Sequence, residues 1–422
     1  MSLRGELWRH PDFLKLWGAQ AVSAMGSRIT REGLPLTAVL LLGATAGELG
    51  LLVALAALPG VLLSPFAGAW IDRTRRRRVL ILADIARALL LATVPLAAWW
   101  GWLSISQIVL VAAAVATFSM LFEIADNAYL PSLVGRDQLL EGNTKLATTD
   151  AVAEVGGPAL AGLLVQLLTA PVAILVDALS YLWSALLLAT IRRPEAPLVT
   201  GDAPPDLKAE IREGLSAVFR HPVLRPLTLC LATATLFGNF FAPLYVLYAV
   251  RELGLDPALL GLTIAMGGVG ALIGAPLAGW LGARVPVGRL LIAARLAYGL
   301  AVCLIPLADG PPWTAAAVLM VSQVLGDGLH MVFFTNLLTL RQRLTPDRLL
   351  GRVGGSTHML LGAMGLVAAL LAGWLADAIG LRPTLWIAAA GILASTLWLL
   401  VPAVRRLGRL DGVPPAEAAH AL

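Results

Sequence analysis

Pro65-Phe66-Ala67-Gly68-Ala69-Trp70-Ile71-Asp72-Arg73 returns half a chain later as Pro276-Leu277-Ala278-Gly279-Trp280-Leu281-Gly282-Ala283-Arg284, and that repetition decides the architecture. The offset is 211 residues in a chain of 422. The register holds on both sides of this segment. Arg9-His10-Pro11 recurs as Arg220-His221-Pro222, Leu49-Gly50-Leu51 as Leu260-Gly261-Leu262, and Pro95-Leu96-Ala97 as Pro306-Leu307-Ala308. Over residues 48–97 about a third of the positions are identical without a gap. Shared Leu and Ala are cheap in an apolar chain, whereas matched Pro, Gly and Arg are not. The chain is a duplication.

Composition says in what solvent the two copies fold. Hydrophobic residues make up 58% and charged residues 14%, against roughly 25% charged in soluble domains. The charges cluster between apolar runs of about 20 residues, the length that crosses a hydrocarbon layer of ~30 Å. Twelve spans are expected, at roughly 14–42, 48–71, 79–100, 104–129, 144–168, 171–191, 224–250, 257–282, 289–308, 313–340, 353–377 and 381–403. Arg4, Glu6, Arg9 and His10 precede a first run longer than a signal-peptide core, so no cleavable leader is expected. Cys230 and Cys303 sit inside apolar runs, which argues against a disulfide, and no metal-ligand spacing is present. The net charge of +5 does not point to nucleic acid, because the basic residues lie at span ends.

Of the 31 Lys and Arg, Arg251 and Arg382 alone fall in expected outer loops, while Arg28, Arg31, Arg87 and Arg295 lie inside spans. That bias places both termini in the cytoplasm. Six spans per half is an even number, so the halves share one topology, related by a pseudo-two-fold axis along the membrane normal with a site near the midplane. The expected divisions are an N-terminal bundle (1–191), a linker (192–222), a C-terminal bundle (223–403) and a tail (404–422). Within the linker, Asp206 to Phe219 reads as an amphipathic surface helix with Ile211, Leu215 and Val218 on one side.

Between the second and third spans stands Gly68-Ala69-Trp70-Ile71-Asp72-Arg73-Thr74-Arg75-Arg76-Arg77. Here the chain resembles the major facilitator superfamily, whose signature at this loop is Gly-x-x-x-Asp-Arg-x-Gly-Arg-Arg. Gly68, Asp72, Arg73, Arg76 and Arg77 match, and Arg75 replaces the second glycine. Gly68 would allow close helix approach, and the arginines would clamp carboxylates or helix C-termini. In span five, Gly157-Pro158-Ala159-Leu160-Ala161-Gly162 resembles the Gly-Pro-x-x-Gly-Gly motif of the superfamily's exporters and antiporters, with Gly157, Pro158 and Gly162 as a helix-bend motif. Ala128-Tyr129-Leu130-Pro131 and Pro346-Asp347-Arg348-Leu349-Leu350-Gly351-Arg352 resemble loops of a subgroup of bacterial drug, macrolide and siderophore exporters.

Charges inside the membrane cost at least ~2.5 kcal/mol each at a span centre, so each needs a partner, a wet cavity or a task. Arg28 and Glu32 are i,i+4 neighbours in span one, with Arg31 beside them; Asp150 and Glu154 repeat that spacing in span five and align with Gly157. An arginine on one helix and a carboxylate on the other form a pair that protonation can break. By the superfamily pattern, Glu123 or Asp126 near the end of span four pairs with Arg76 as a cytoplasmic gate, braced by Asp72. In the second half Asn239, Asp327 and His330 are expected to face the cavity. Arg28, Arg31 and Glu32 align there with Asn239, Ala242 and Pro243, leaving a more apolar wall with Phe237, Phe240, Phe241 and Tyr245.

The resemblance implies a secondary transporter and no enzyme. By that resemblance it would carry amphipathic small molecules out of a bacterial cell across the inner membrane, as a monomer, with no cofactor beyond the proton gradient. Uptake or flipping of a nutrient or lysolipid by the same fold is the rival reading, and a non-transporting sensor a minor one. No Gly-x-x-x-x-Gly-Lys-Ser/Thr segment is present, so direct ATP-driven pumping is not expected.

Overall fold

A computed structural model describes residues 6–71, 73–192 and 207–410. The described residues form helices and turns, with no strand among them. In the first half these are α1 (Pro11–Leu42), α2 (Ala46–Leu62), α3 (Ser64–Ile71), α4 (Arg76–Trp99), α5 (Ile105–Leu133), α6 (Leu139–Leu168) and α7 (Ala170–Ala189). After α8 (Leu207–Arg220) come α9 (Leu224–Gly238), α10 (Phe241–Arg251), α11 (Pro257–Gly282), α12 (Val287–Val302) and α13 (Leu304–Leu307). The chain ends with α14 (Pro312–Leu344), α15 (Asp347–Ile379), α16 (Leu381–Ser395) and α17 (Pro402–Arg405). Asp72 and the linker residues 193–206 lie outside the described residues, as do tail residues 411–422.

Ten helical stretches among the described residues are long and apolar enough to cross a bilayer. The first two expected spans are not among them. α1 has 32 residues but carries Arg28, Arg31 and Glu32, which lower its hydropathy. α2 ends after 17 residues.

Several spans expected as single helices are interrupted, and prolines explain it. A proline cannot donate to the carbonyl four residues back, and its ring crowds that carbonyl. Pro65 thus follows the break at Leu63, Pro243 the break between α9 and α10, and Pro306 the break at Cys303. Pro402 follows the 3-10 turn Thr396–Leu400 in the same way.

Two compact units divide the chain, one of Met1–Pro204 with Asp256–Ala265, the other of Pro205–Leu255 with Met266–Leu422. In the first, Phe13, Leu16, Leu80, Phe122, Tyr129 and Leu188 form an apolar core that joins α1, α4, α5 and α7. In the second, Leu227, Cys230, Leu291, Phe333, Leu337 and Leu399 do the same for α9, α12, α14 and the 3-10 turn. Large apolar side chains such as Phe66, Leu110, Leu167 and Trp374 point outward, as a lipid solvent requires. Trp99, Trp100 and Trp102 are exposed at the α4–α5 turn, where indoles suit a membrane interface.

The expected surface helix forms as α8, but it packs against protein. Gly214 abuts the Arg352 carbonyl and Ser356 of α15, Arg352 pairs with Glu213, and Val218 is buried with Leu224, Leu349 and Val353. Its apolar stripe belongs to the second unit and not to lipid.

The repeated Arg-His-Pro proves to be a helix-start device. His10 Nδ1 accepts from the Phe13 amide at 3.1 Å ahead of α1, and His221 Nδ1 accepts from Val223 and Leu224 at 3.1 and 3.2 Å ahead of α9. An imidazole can accept at Nδ1 only while that nitrogen is unprotonated. Burial lowers the His221 pKa below its ordinary value. The depressed pKa means that the neutral-form stabilisation is present above the ordinary imidazole range. It is lost as pH falls through the lowered value. Acidification is therefore expected to remove about 1 kcal/mol of cap energy at α9. His221→Asn, whose side chain caps without titrating, should abolish that component of the pH dependence of thermal unfolding. An unchanged pH profile in the variant would contradict the cap.

Candidate functional site

The densest charge cluster in the first unit lies where α1 meets α6. Residues 28, 31 and 32 fall on adjoining rows of one helix face, and 150, 154 and 157 on one row of the other. Gly157 is what lets the two rows meet: a Cβ there would run into Cβ and Cγ of Arg28. With the backbones this close, Glu154 accepts Arg28 Nη2 at 2.6 Å and Arg31 Nη2 at 3.0 Å, while Arg31 Nε reaches Glu32 at 3.3 Å. Arg28 thus pairs across the helices, and the i,i+4 partnership with Glu32 passes to the adjacent Arg31. Asp150 is exposed one turn away, close enough for its charge to act on Arg28 and Glu154. Arg28 Nε is buried without a hydrogen-bond partner, so the cluster is not fully satisfied.

Beside these ions runs a groove of about 450 Å³ between the same helices, lined by Trp8, Trp17, Met25, Lys145, Thr149 and Val152 among others. Trp8 stands edge-on to Trp17 with ring centroids 5.0 Å apart. Lys145 Nζ sits 3.9 Å from the Trp8 ring centroid and 3.2 Å from Glu141. Trp17 Nε1 donates to Thr149 Oγ1 at 2.9 Å. Such a volume suits a drug-sized ligand, and the mixture of aromatic faces with a few fixed polar groups is what small-molecule sites use.

The loop arginines act on helix ends. Arg76 Nη1 donates to the Ala128 carbonyl of α5 at 2.9 Å, and Arg77 donates to the Leu188 carbonyl at 2.9 Å and to that of Ala189. A cation on the last carbonyls of α7 is placed where the helix dipole favours it. Arg73 and Glu123 are exposed. Asp126 accepts from Gln20 of α1. Asp72 lies outside the described residues, so its bracing role has no geometry here. The close approach expected at Gly68 is not made among the described residues, because a Cβ there would meet nothing within 4 Å.

Gly157, Pro158 and Gly162 serve packing. α6 runs unbroken through Pro158, while a Cβ on Gly162 would strike the Pro257 carbonyl and one on Gly261 the Pro158 carbonyl. The first turns of α11, grouped with this unit, thereby lie backbone to backbone with α6.

In the second unit, Asn239 caps α9 and donates to the Thr235 carbonyl at 2.8 Å, facing Gly365. Asp327 lies against Gly267 of α11. The His330 ring neighbours Tyr298 at 5.5 Å and stacks on Phe334 at 5.9 Å, with Nδ1 buried and unpartnered.

A second set of buried ions includes Arg87 and Arg295, which the sequence placed inside spans without a role, and Asp84 and Asp177, which sequence reasoning missed. Asp84, Arg87 and Asp177 are 0%, 3% and 0% exposed, and Arg295 is 2%. Arg87 donates to Asp84, and Asp177 accepts from Thr30 and Ser180. The available signal was their mere presence in apolar spans: Asp84 and Arg87 one turn apart, and Asp177 isolated.

The Major Facilitator Superfamily model matches residues 16–369 and 227–418. The multidrug efflux pump Tap of Mycobacterium tuberculosis (strain ATCC 25618 / H37Rv) is 30% identical over 418 residues, covering 97% of each chain. Macrolide efflux protein A of Streptococcus pyogenes is 23% identical over 404 residues, covering 94% of this chain and 97% of that one. Among solved structures, a bacterial homologue of the iron transporter ferroportin in the inward-facing state superposes with a TM-score of 0.75 at 18% identity, covering 94% and 99% of the two chains. The nucleoside transporter NupG gives 0.74 at 11% identity, covering 94% and 99%.

The Arg77 contacts yield a direct check. Arg77→Gln should raise hydrogen exchange at the C-terminal turn of α7 and cost about 1.5–3 kcal/mol, the range for hydrogen bonds to a charged group. Unchanged exchange over residues 186–190 would show that the guanidinium does not hold that helix end.

Proposed function

The chain belongs to the Major Facilitator Superfamily, and on that premise we propose that it expels amphipathic small molecules in exchange for protons. It is a multi-pass membrane transporter of small molecules. The finer reading places it in a bacterial inner membrane with both termini cytoplasmic, working as a monomer by alternating access. The observation that carries it is Glu154 held by Arg28 and Arg31 beside an apolar, tryptophan-lined groove. Relatives named as a multidrug efflux pump and a macrolide efflux protein favour export over uptake.

The chemistry follows from competition for one carboxylate. Ionised Glu154 ties α1 to α6 through two guanidinium groups. A proton on Glu154 or Glu32 removes one negative charge from the cluster and weakens both its ion pairs and its attraction for a cationic substrate. Loss of the proton toward the cytoplasm restores the pairs and resets the cycle. A membrane potential of ~100 mV supplies about 2.3 kcal/mol per charge, and one pH unit about 1.4. For an uncharged substrate together these sustain a gradient of roughly a few hundred-fold per proton, and for a monovalent cation exchanged one for one the pH term alone drives the cycle.

Purified protein in liposomes tests this with ethidium and erythromycin as probes. An imposed pH gradient should move a probe against its own gradient, with proton movement in the opposite direction. Glu154→Gln should slow the proton-driven flux by about tenfold or more while downhill exchange persists. Full proton-driven flux in both Glu32→Gln and Glu154→Gln would remove these carboxylates from coupling. Labelled lysolipid crossing with no proton movement would favour flipping over efflux.

A further inference from the structure

Buried guanidinium groups lie against corresponding phenylalanine rings in both halves, carried by arginines at positions three residues apart in the repeat. At the 211-residue offset Phe122 corresponds to Phe333, Ser184 to Ser395, Asp84 to Arg295 and Arg87 to Tyr298. In the first unit Arg87 lies 4.4 Å from the Phe122 ring centroid and 4.1 Å from that of Tyr181. In the second, Arg295 lies 5.3 Å from Phe333 and 5.0 Å from Tyr298, with Nε donating to Ser395 at 2.9 Å. A cation over an aromatic face, packed between the same helices, is therefore part of the duplicated scaffold.

What differs is the acid. No carboxylate pairs with Arg295 among the described residues, and the counterpart of Asp177 is Ala388. The packing job is done in the second unit without either acid, so packing does not explain Asp84 and Asp177 in the first.

Their charge count does not close either. Arg87 is one cation facing two carboxyls. Asp84 Oδ1 takes the guanidinium, and both oxygens of Asp177 take hydroxyl donors, from Ser180 and Thr30. Asp84 Oδ2 is buried with no partner, and so is the Ser184 hydroxyl beside it. The other groups facing the cluster are Tyr181 from α7, Ser119 and Phe122 from α5, and Ser27 from α1, which bonds Tyr181 at 2.9 Å. Asp126 of α5 is the next acid whose charge reaches Asp84, so it adds negative charge and relieves nothing. Two buried carboxylates on one cation leave an uncompensated charge in an apolar medium. One proton on the pair of carboxyls cancels it.

We propose that Asp84 and Asp177, gathered around Arg87, bind one exchangeable proton between them and form a coupling site additional to the α1–α6 ion cluster. The coupling role rests on the proton-driven efflux reading; the proton itself does not.

Infrared difference spectroscopy on the full-length protein in liposomes tests the two parts separately. At neutral pH, wild type minus Asp84→Asn and wild type minus Asp177→Asn should each show the carbonyl stretch of one protonated carboxyl. Either substitution leaves Arg87 a single acid to neutralise, so the proton departs in both. Ser184→Ala should keep the band and shift its frequency, which covers the case of a misfolded Asn variant. A band missing from both differences overturns the site, and a band in one alone overturns the sharing. With ethidium as probe, Asp177→Asn should slow proton-driven flux by roughly tenfold or more while downhill exchange continues. Undiminished proton-driven flux overturns the coupling role. A wild type that never moves ethidium against its gradient counts against the efflux reading instead, while the spectra still judge the proton.

Discussion

An ionised side chain in hydrocarbon must find its counter-charge within the protein, and the first unit is arranged around that requirement. Water cannot rescue Arg87, Asp84 or Asp177, so α4 and α7 have to bring them together with Thr30 of α1 and Ser119 of α5. The backbone has to permit the approach. At Gly26 a Cβ would collide with Asp177 and Ser180, and at Gly157 with Arg28. Glycines therefore sit opposite the ions, and the apolar packing of α1 against α6 and α7 is the geometry that satisfies the charges.

The same constraint explains what could be read in the sequence. The duplication and the apolar runs declared the helices and their solvent, because both are properties of spacing along one chain. That Arg28, Arg31 and Glu154 would need partners was legible for the same reason, because charges in an apolar run must be compensated. Their pairing was not. The i,i+4 rule describes an isolated helix surface, where Arg28 would turn to Glu32; the missing Cβ at Gly157 brings Glu154 nearer than any neighbour on α1. At Gly68 no neighbour lies within 4 Å among the described residues, so the close approach that a motif glycine implies has no geometry here. The amphipathic pattern of α8 was correct as a pattern, but periodicity cannot say whether lipid or α15 covers the apolar stripe.

Arginine is used here in three physically distinct ways. Arg28 and Arg31 bind a carboxylate, Arg76 and Arg77 bind helix-end carbonyls, and Arg87 and Arg295 lie on aromatic rings. A planar guanidinium with five donors can do all three.

Comparison of the halves separates scaffold from chemistry without any second protein. Retained across the duplication are the His10 and His221 caps and the Phe122 and Phe333 platforms, which position helices, together with the Ser184 and Ser395 hydroxyls. Changed are the titratable groups: Arg28 to Asn239, Glu32 to Pro243, Asp84 to Arg295 and Asp177 to Ala388. A group needed only for folding has the same work to do in both copies, since both fold the same way. A group present in one copy alone is free of that explanation. By that logic the folding work common to both copies leaves the acids Glu32, Asp84 and Asp177 unexplained, while it does account for the aromatic shell around Arg87 and Arg295.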